Sequence, residues 1–233
     1  MSSLLFFGFL LGLRHAVEAD HVAAVASLTT KTPTMRDAIP LGVLWGMGHT
    51  ITIFAVGAAV MSMDQLIPER VAGLLELAVG FMLLWLGSDV LWRLWRDRVH
   101  FHVHKHDDGV RHFHAHGHQP QQSHGASSHQ HKHAKKIKRR ALLVGVMHGM
   151  AGSAAVIVLT ASQAATFSSG MVYIALFGLG SILGMGLLTT VISWPMYVAS
   201  KSMGAVYNGL TASVGVITVG LGLSIIYANW GAV

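Results

Sequence analysis

The sequence predicts an all-α integral membrane protein, six transmembrane helices arranged as two inverted three-helix repeats. Three observations lead there. Of the 233 residues 52% are hydrophobic and only 11% charged, against about 25% charged in a soluble domain, and the mean hydropathy is +0.53. Six apolar stretches follow one another at about 4–28, 37–62, 68–95, 139–162, 171–199 and 203–229, each long enough for a bilayer core crossed by about 20 residues. The two halves also echo each other. His15 pairs with His148 at an offset of 133, Trp45 with Phe177 at 132, and Gly80 and Gly87 with Gly215 and Gly222 at 135. Three spans per copy is an odd number, so the second copy runs inverted, as in many secondary transporters. The chain divides into a first repeat over 1–96, a polar insert over 97–138 and a second repeat over 139–233.

The first stretch lacks a basic leader and a cleavage site and reads as a retained helix. Inside it stands Arg14-His15-Ala16-Val17-Glu18-Ala19-Asp20-His21, five ionisable groups in eight residues. Each is expensive at membrane depth, and such groups mark ion or substrate routes. On an unbroken helix His15, Glu18 and His21 fall within about 120° of one another. Asp20 then points elsewhere, to brace an imidazole or neutralise Arg14, unless a distortion near Gly12 brings it round. The second stretch carries Trp45-Gly-Met-Gly-His49-Thr50. In the third, Asp89 precedes Arg93 by four residues, the spacing of a helix pair. Glu76 lies deeper, either a proton-coupling group or a helix–helix hydrogen-bond partner. His148 opens a small-residue run in the fourth, and Pro195 lies late in the fifth. The 26 glycines suit helices that approach closely in lipid.

Twelve of the 16 histidines fall within 100–133; the others are His15, His21, His49 and His148. The insert is polar and of low complexity, so disorder is expected. His100, His102, His104, His106, His112, His114, His116 and His118 alternate with other residues and form an auxiliary metal-binding loop of modest selectivity. Eleven of the 16 Lys and Arg lie between Arg93 and Arg140. Short-loop cations prefer the cytoplasm, so the insert is expected inside a cell (inner) membrane crossed several times, with both termini outside. Trp92 and Trp95, beside Arg93 and Arg96, read as an interfacial anchor. The basicity is an orientation signal and does not point to nucleic acid.

The chain has no Cys, which excludes thiolate sites. Histidine-and-carboxylate ligation suits Ni2+, Co2+ and Zn2+ and disfavours Cu(I). Mg2+ and Ca2+ take oxygen ligands. The candidate metal residues are His15, Glu18, Asp20, His21, His49 and His148. Met47, Met150 and Met185 lie near the motifs and read as packing residues.

These residues resemble a known family. His15-x4-Asp20-His21, within RHAVEADHVAAV, is similar to the HX4DH signature of the nickel/cobalt transporter superfamily. WGMGHT at 45–50 is similar to its Gly-His-Ser/Thr motif. MHGMAGS at 147–153 resembles a run of its shorter, six-span, urease-accessory-type branch. The resemblance implies a permease for Ni2+ or Co2+ with His15, Asp20, His21 and His49 as binding residues. Two departures stand beside it: Glu18 occupies a position where Asp is common, and two of the usual eight spans are absent.

The expected function is therefore uptake of Ni2+ or Co2+, carried as substrate with no resident cofactor, and a cytoplasmic metallochaperone as partner. Efflux with the insert as collector is the rival direction. A membrane-anchored metal sensor or chaperone is the rival class. An embedded metallohydrolase lacks support because no HExxH occurs.

Overall fold

The computed structural model describes residues 2–30, 32, 35–63, 68–96, 100–105, 111–116, 137–150 and 166–232. The helices are α1 (Ser2–His15), α2 (Ala19–Thr29), α3 (Met35–Met63), α4 (Glu69–Arg96), α5 (137–150), α6 (Phe167–Ser202) and α7 (Gly204–Asn229). Two strands, β1 (His100–Lys105) and β2 (Arg111–His116), lie between α4 and α5.

Four helices, α3, α4, α6 and α7, are long and apolar enough to cross a membrane. At 1.5 Å per residue even the 26 residues of α7 exceed a hydrocarbon core of about 30 Å. They are apolar all round, and large side chains such as Phe81, Leu187, Val191 and Ile217 remain exposed, as lipid-facing surface does. The fourth predicted stretch, 139–162, lies outside the described residues beyond 150.

The first predicted stretch is not one helix. It breaks at Ala16–Glu18 into α1 and α2. Val17 N–H turns back to the Arg14 carbonyl at 3.0 Å and Glu18 N–H to that of His15 at 3.1 Å, a tightening that ends α1. Glu18 is extended, with φ −65° and ψ 149°, and α2 starts beyond it. In a continuous helix His21 N–H would seek the Val17 carbonyl; here Asp20 Oδ1 accepts it at 3.0 Å. Asp20 thus satisfies a backbone N–H at the break, as irregular backbone away from water requires.

Elsewhere the elements follow local rules. α6 starts at a capping box in which Thr166 and Ser169 exchange side-chain-to-backbone hydrogen bonds. α2 ends where Thr29 and Thr30 donate back to the carbonyls of Ala26 and Ser27.

Glycines set how the helices approach. A Cβ on Gly12 would collide with the Phe177 carbonyl, and one on Gly180 with that of Phe9, so α1 and α6 run parallel in near backbone contact. α3 and α5 do the same: a Cβ on Gly145 would meet the Trp45 carbonyl, and one on Gly48 that of Leu142. α4 and α7 run antiparallel, Gly80 against Gly222 and Gly87 against Gly215. α3 also crosses α6 antiparallel, and Thr50 Oγ1 donates to the Gly178 carbonyl at 3.2 Å. A core of Ala16, Ala24, Leu28, Trp45, Leu83 and Met185 fills the space between.

At one end of the bundle Arg140 Nη2 meets Asp89 Oδ2 at 3.0 Å, and its guanidinium lies 4.0 Å above the Trp85 ring. Arg93, the partner expected for Asp89, stands 3.8 Å away and donates to Thr30 Oγ1 at 3.1 Å. Glu76 is exposed on α4.

The insert also departs from expectation. β1 and β2 pair antiparallel, with His100 opposite His116, His102 opposite His114 and His104 opposite His112. The reason is in the sequence: Phe101, Val103, Phe113 and Ala115 alternate with the histidines, a period-two pattern that favours strands. His106, His118 and the other insert residues at 97–99, 106–110 and 117–136 lie outside the described residues.

Candidate metal centre

Four imidazoles and one carboxylate converge from four helices. His15 closes α1, Asp20 and His21 form the first turn of α2, His49 is mid-α3 and His148 is near the end of the described part of α5. His15 is 7% exposed, His148 1%, and His21 and His49 fully buried. The ring centroids of His15 and His148 each lie 4.3 Å from that of His21, and that of His49 lies 5.1 Å away. His21 is the hub.

The contacts are specific. His15 Nε2 lies 3.2 Å from His49 Nε2. His21 Nδ1 lies 2.9 Å from Asp20 Oδ1 and 3.3 Å from His148 Nε2, while the other Asp20 oxygen lies 3.0 Å from His148 Nε2. Glu18 Oε2 meets His15 Nδ1 at 3.0 Å. His21 Nε2, His49 Nδ1 and His148 Nδ1 are buried with no hydrogen-bond partner among the described residues. A buried imidazole nitrogen left unpaired is costly, and a cation held at His21 Nε2 would relieve that cost there.

Two groups of three ligand atoms lie within 4.8 Å of one another: His15, His21 and His49, and Asp20, His21 and His148. Three protein ligands leave coordination positions open, which suits an ion that must enter and leave. The C-terminal end of α1 adds carbonyl dipoles, favourable to a cation. Asp20 offsets the positive end of α2.

The break in the first stretch decides the roles of the carboxylates. Unbroken helical geometry put Glu18 on the histidine face and Asp20 off it; instead Asp20 stands among the ligand atoms. Glu18, its side chain 55% exposed, belongs to neither group of three. It contacts His15 on the nitrogen opposite the one that meets His49.

Trp45 was legible in the sequence as a repeat partner and as the start of the WGMGHT run, without a role of its own. It is fully buried, with ring-centroid distances of 5.2 Å to His21, 5.5 Å to His148 and 6.2 Å to His49. Its ring forms an aromatic wall on one side of the cluster. Phe177 does the same for His15, at 5.2 Å. The spacing of Trp45 four residues before His49 was the available signal, since i and i+4 share a helix face.

Residues 1–229 match the model of the NicO family, described as high-affinity nickel-transport protein. The urease accessory protein UreH of Bacillus sp. (strain TB-90) is 31% identical over 227 residues, covering 97% of this chain and 91% of UreH. The chloroplast protein FOR GROWTH AND FERTILITY 2 of Arabidopsis thaliana is 24% identical over 232 residues, covering 96% of this chain and 56% of that protein. A protein of Methanocaldococcus jannaschii, provisionally described as a nickel/cobalt efflux system, is 31% identical over 102 residues, covering 42% of this chain and 44% of its own length. No solved structure matches the chain.

Proposed function

The chain belongs to the NicO family of high-affinity nickel-transport proteins, and on that premise we propose that it is a permease carrying Ni2+ or Co2+ into the cytoplasm. The observation that carries the reading is the convergence of His15, Asp20, His21, His49 and His148, from segments distant in sequence, into two groups of three that share the buried His21. Imidazole and carboxylate donors without sulfur suit these ions.

We infer six spans in two inverted repeats, α1–α2 together forming the first span and α5 opening the fourth. Support comes from contacts that exchange under the sequence offset. The Gly12–Phe177 contact corresponds to Gly145–Trp45, and Gly180–Phe9 to Gly48–Leu142. Gly80–Gly222 corresponds to Gly215–Gly87. His15 against Phe177 corresponds to His148 against Trp45. The metal cluster then sits at the repeat interface, the position such folds use for substrate. Under this topology the insert is cytoplasmic and receives the ion, for a metallochaperone or for storage.

Inward movement is the direction an inside-negative potential favours, by about 2 × 2.3 kcal/mol per 100 mV for a dication. Similarity to UreH along nearly the whole chain supports a supply role. Efflux is the second reading, supported by the shorter match to the archaeal protein; it needs an opposing energy source. The deciding experiment is radioactive nickel and cobalt flux into proteoliposomes under an imposed potential, wild type against His21→Ala. Equal flux in the two would refute the site.

A further inference from the structure

The two ring nitrogens of His21 have different surroundings. Nδ1 is committed to Asp20 and His148, at 2.9 and 3.3 Å. Nε2 is buried without a partner among the described residues. The two groups of three ligand atoms have His21, and no other residue, in common. The lone-pair directions of an imidazole diverge, so one ion cannot bind both nitrogens of one ring. A neutral imidazole also offers only one free lone pair, the other nitrogen carrying the proton.

Resting on the permease reading, we propose that the two groups are successive stations for a single Ni2+ or Co2+ ion, handed across His21. At the first station His15, His49 and His21 Nε2 hold the ion. At the second, Asp20, His148 Nε2 and His21 Nδ1 hold it. The transfer breaks the bonds to His15, His49 and Nε2 and forms those to Asp20, His148 and Nδ1. As the ion moves from Nε2 to Nδ1, the Nδ1 proton passes to water that accompanies the ion and Nε2 takes one proton back from that water, so charge and atoms balance. Only one station is filled at a time. The first lies where α1 ends and the second where α2 begins, so the transfer carries the ion across the break in the span. Three neutral donors make the first station and an anionic donor strengthens the second, which biases the ion forward.

The test uses the full-length protein in detergent with Co2+ alone as probe, followed by cobalt flux in proteoliposomes. His21→Ala carries the same histidine-rich insert, so cobalt bound in excess of that variant counts ions in the bundle. One excess ion is expected for the wild type, for His49→Ala and for His148→Ala. The two single variants should show different visible absorption bands, because their remaining stations differ in donors. Flux should be lost in all three variants. His49→Asn and His148→Asn replace the alanine variants if those fail to elute as the wild type does. No excess ion in either single variant, two excess ions in the wild type, or normal flux in His148→Ala would overturn the hand-over alone. Absence of wild-type flux would overturn it together with the permease reading.

Discussion

His15 and Glu18 are joined through imidazole Nδ1 and carboxylate Oε2 at 3.0 Å, which leaves the opposite nitrogen of the ring, 3.2 Å from His49, to face the cluster. On the permease reading, the carboxylate fixes the tautomer and aim of His15 without itself joining either group of three. Glu18→Gln should therefore raise the nickel concentration for half-maximal flux by about 10–100-fold, the usual effect of losing such a brace. Asp20→Asn should abolish flux. Equal, mild effects from both substitutions would show that the two carboxylates share one role.

The close approach of α3 and α5 at Gly145 leaves no room for a side chain against the Trp45 carbonyl. Gly145→Ala should lower stability by about 1–3 kcal/mol, the range for overpacking, read as an earlier thermal transition in detergent. Gly220→Ala, with nothing within 4 Å of the added Cβ, is the matched control and should melt at or above the wild-type temperature.

Imidazoles must be unprotonated to hold a metal. As pH falls, protons compete for the same nitrogens, so the sign is loss of affinity towards acid. Half-saturation should worsen by about tenfold per pH unit for each imidazole that must lose a proton. Initial rates of flux across a pH series, with the membrane potential clamped, provide the slope. Half-saturation that improves towards acid would remove the histidines from the binding step.

Deleting 100–133 removes the paired strands, in which three histidines of β1 are in register with three of β2. Flux should persist, and the number of ions bound per chain should fall. Loss of all metal-dependent behaviour on deletion would favour the sensor class, in which the spans only anchor the insert.

Composition and motif were enough to read the membrane class, the nickel and cobalt chemistry and all four bundle histidines, because apolar length and ligand type are local properties of the chain. The offsets that pair Trp45 with Phe177 and Gly80 with Gly215 were equally visible, since a repeat leaves its trace residue by residue. The insert's strands were legible too, in the alternation of histidine with Phe101 and Val103, but low complexity masked them. Periodicity assumes an unbroken helix, and the break at Ala16–Glu18 re-aimed everything beyond it. Only the folded chain therefore decided that Asp20 joins the histidines and that Glu18 stands behind His15. It alone decided that His148, 127 residues on, comes within 3.3 Å of His21. Such contacts follow from how closely glycine-faced helices can pack, which depends on the shape of both partners at once.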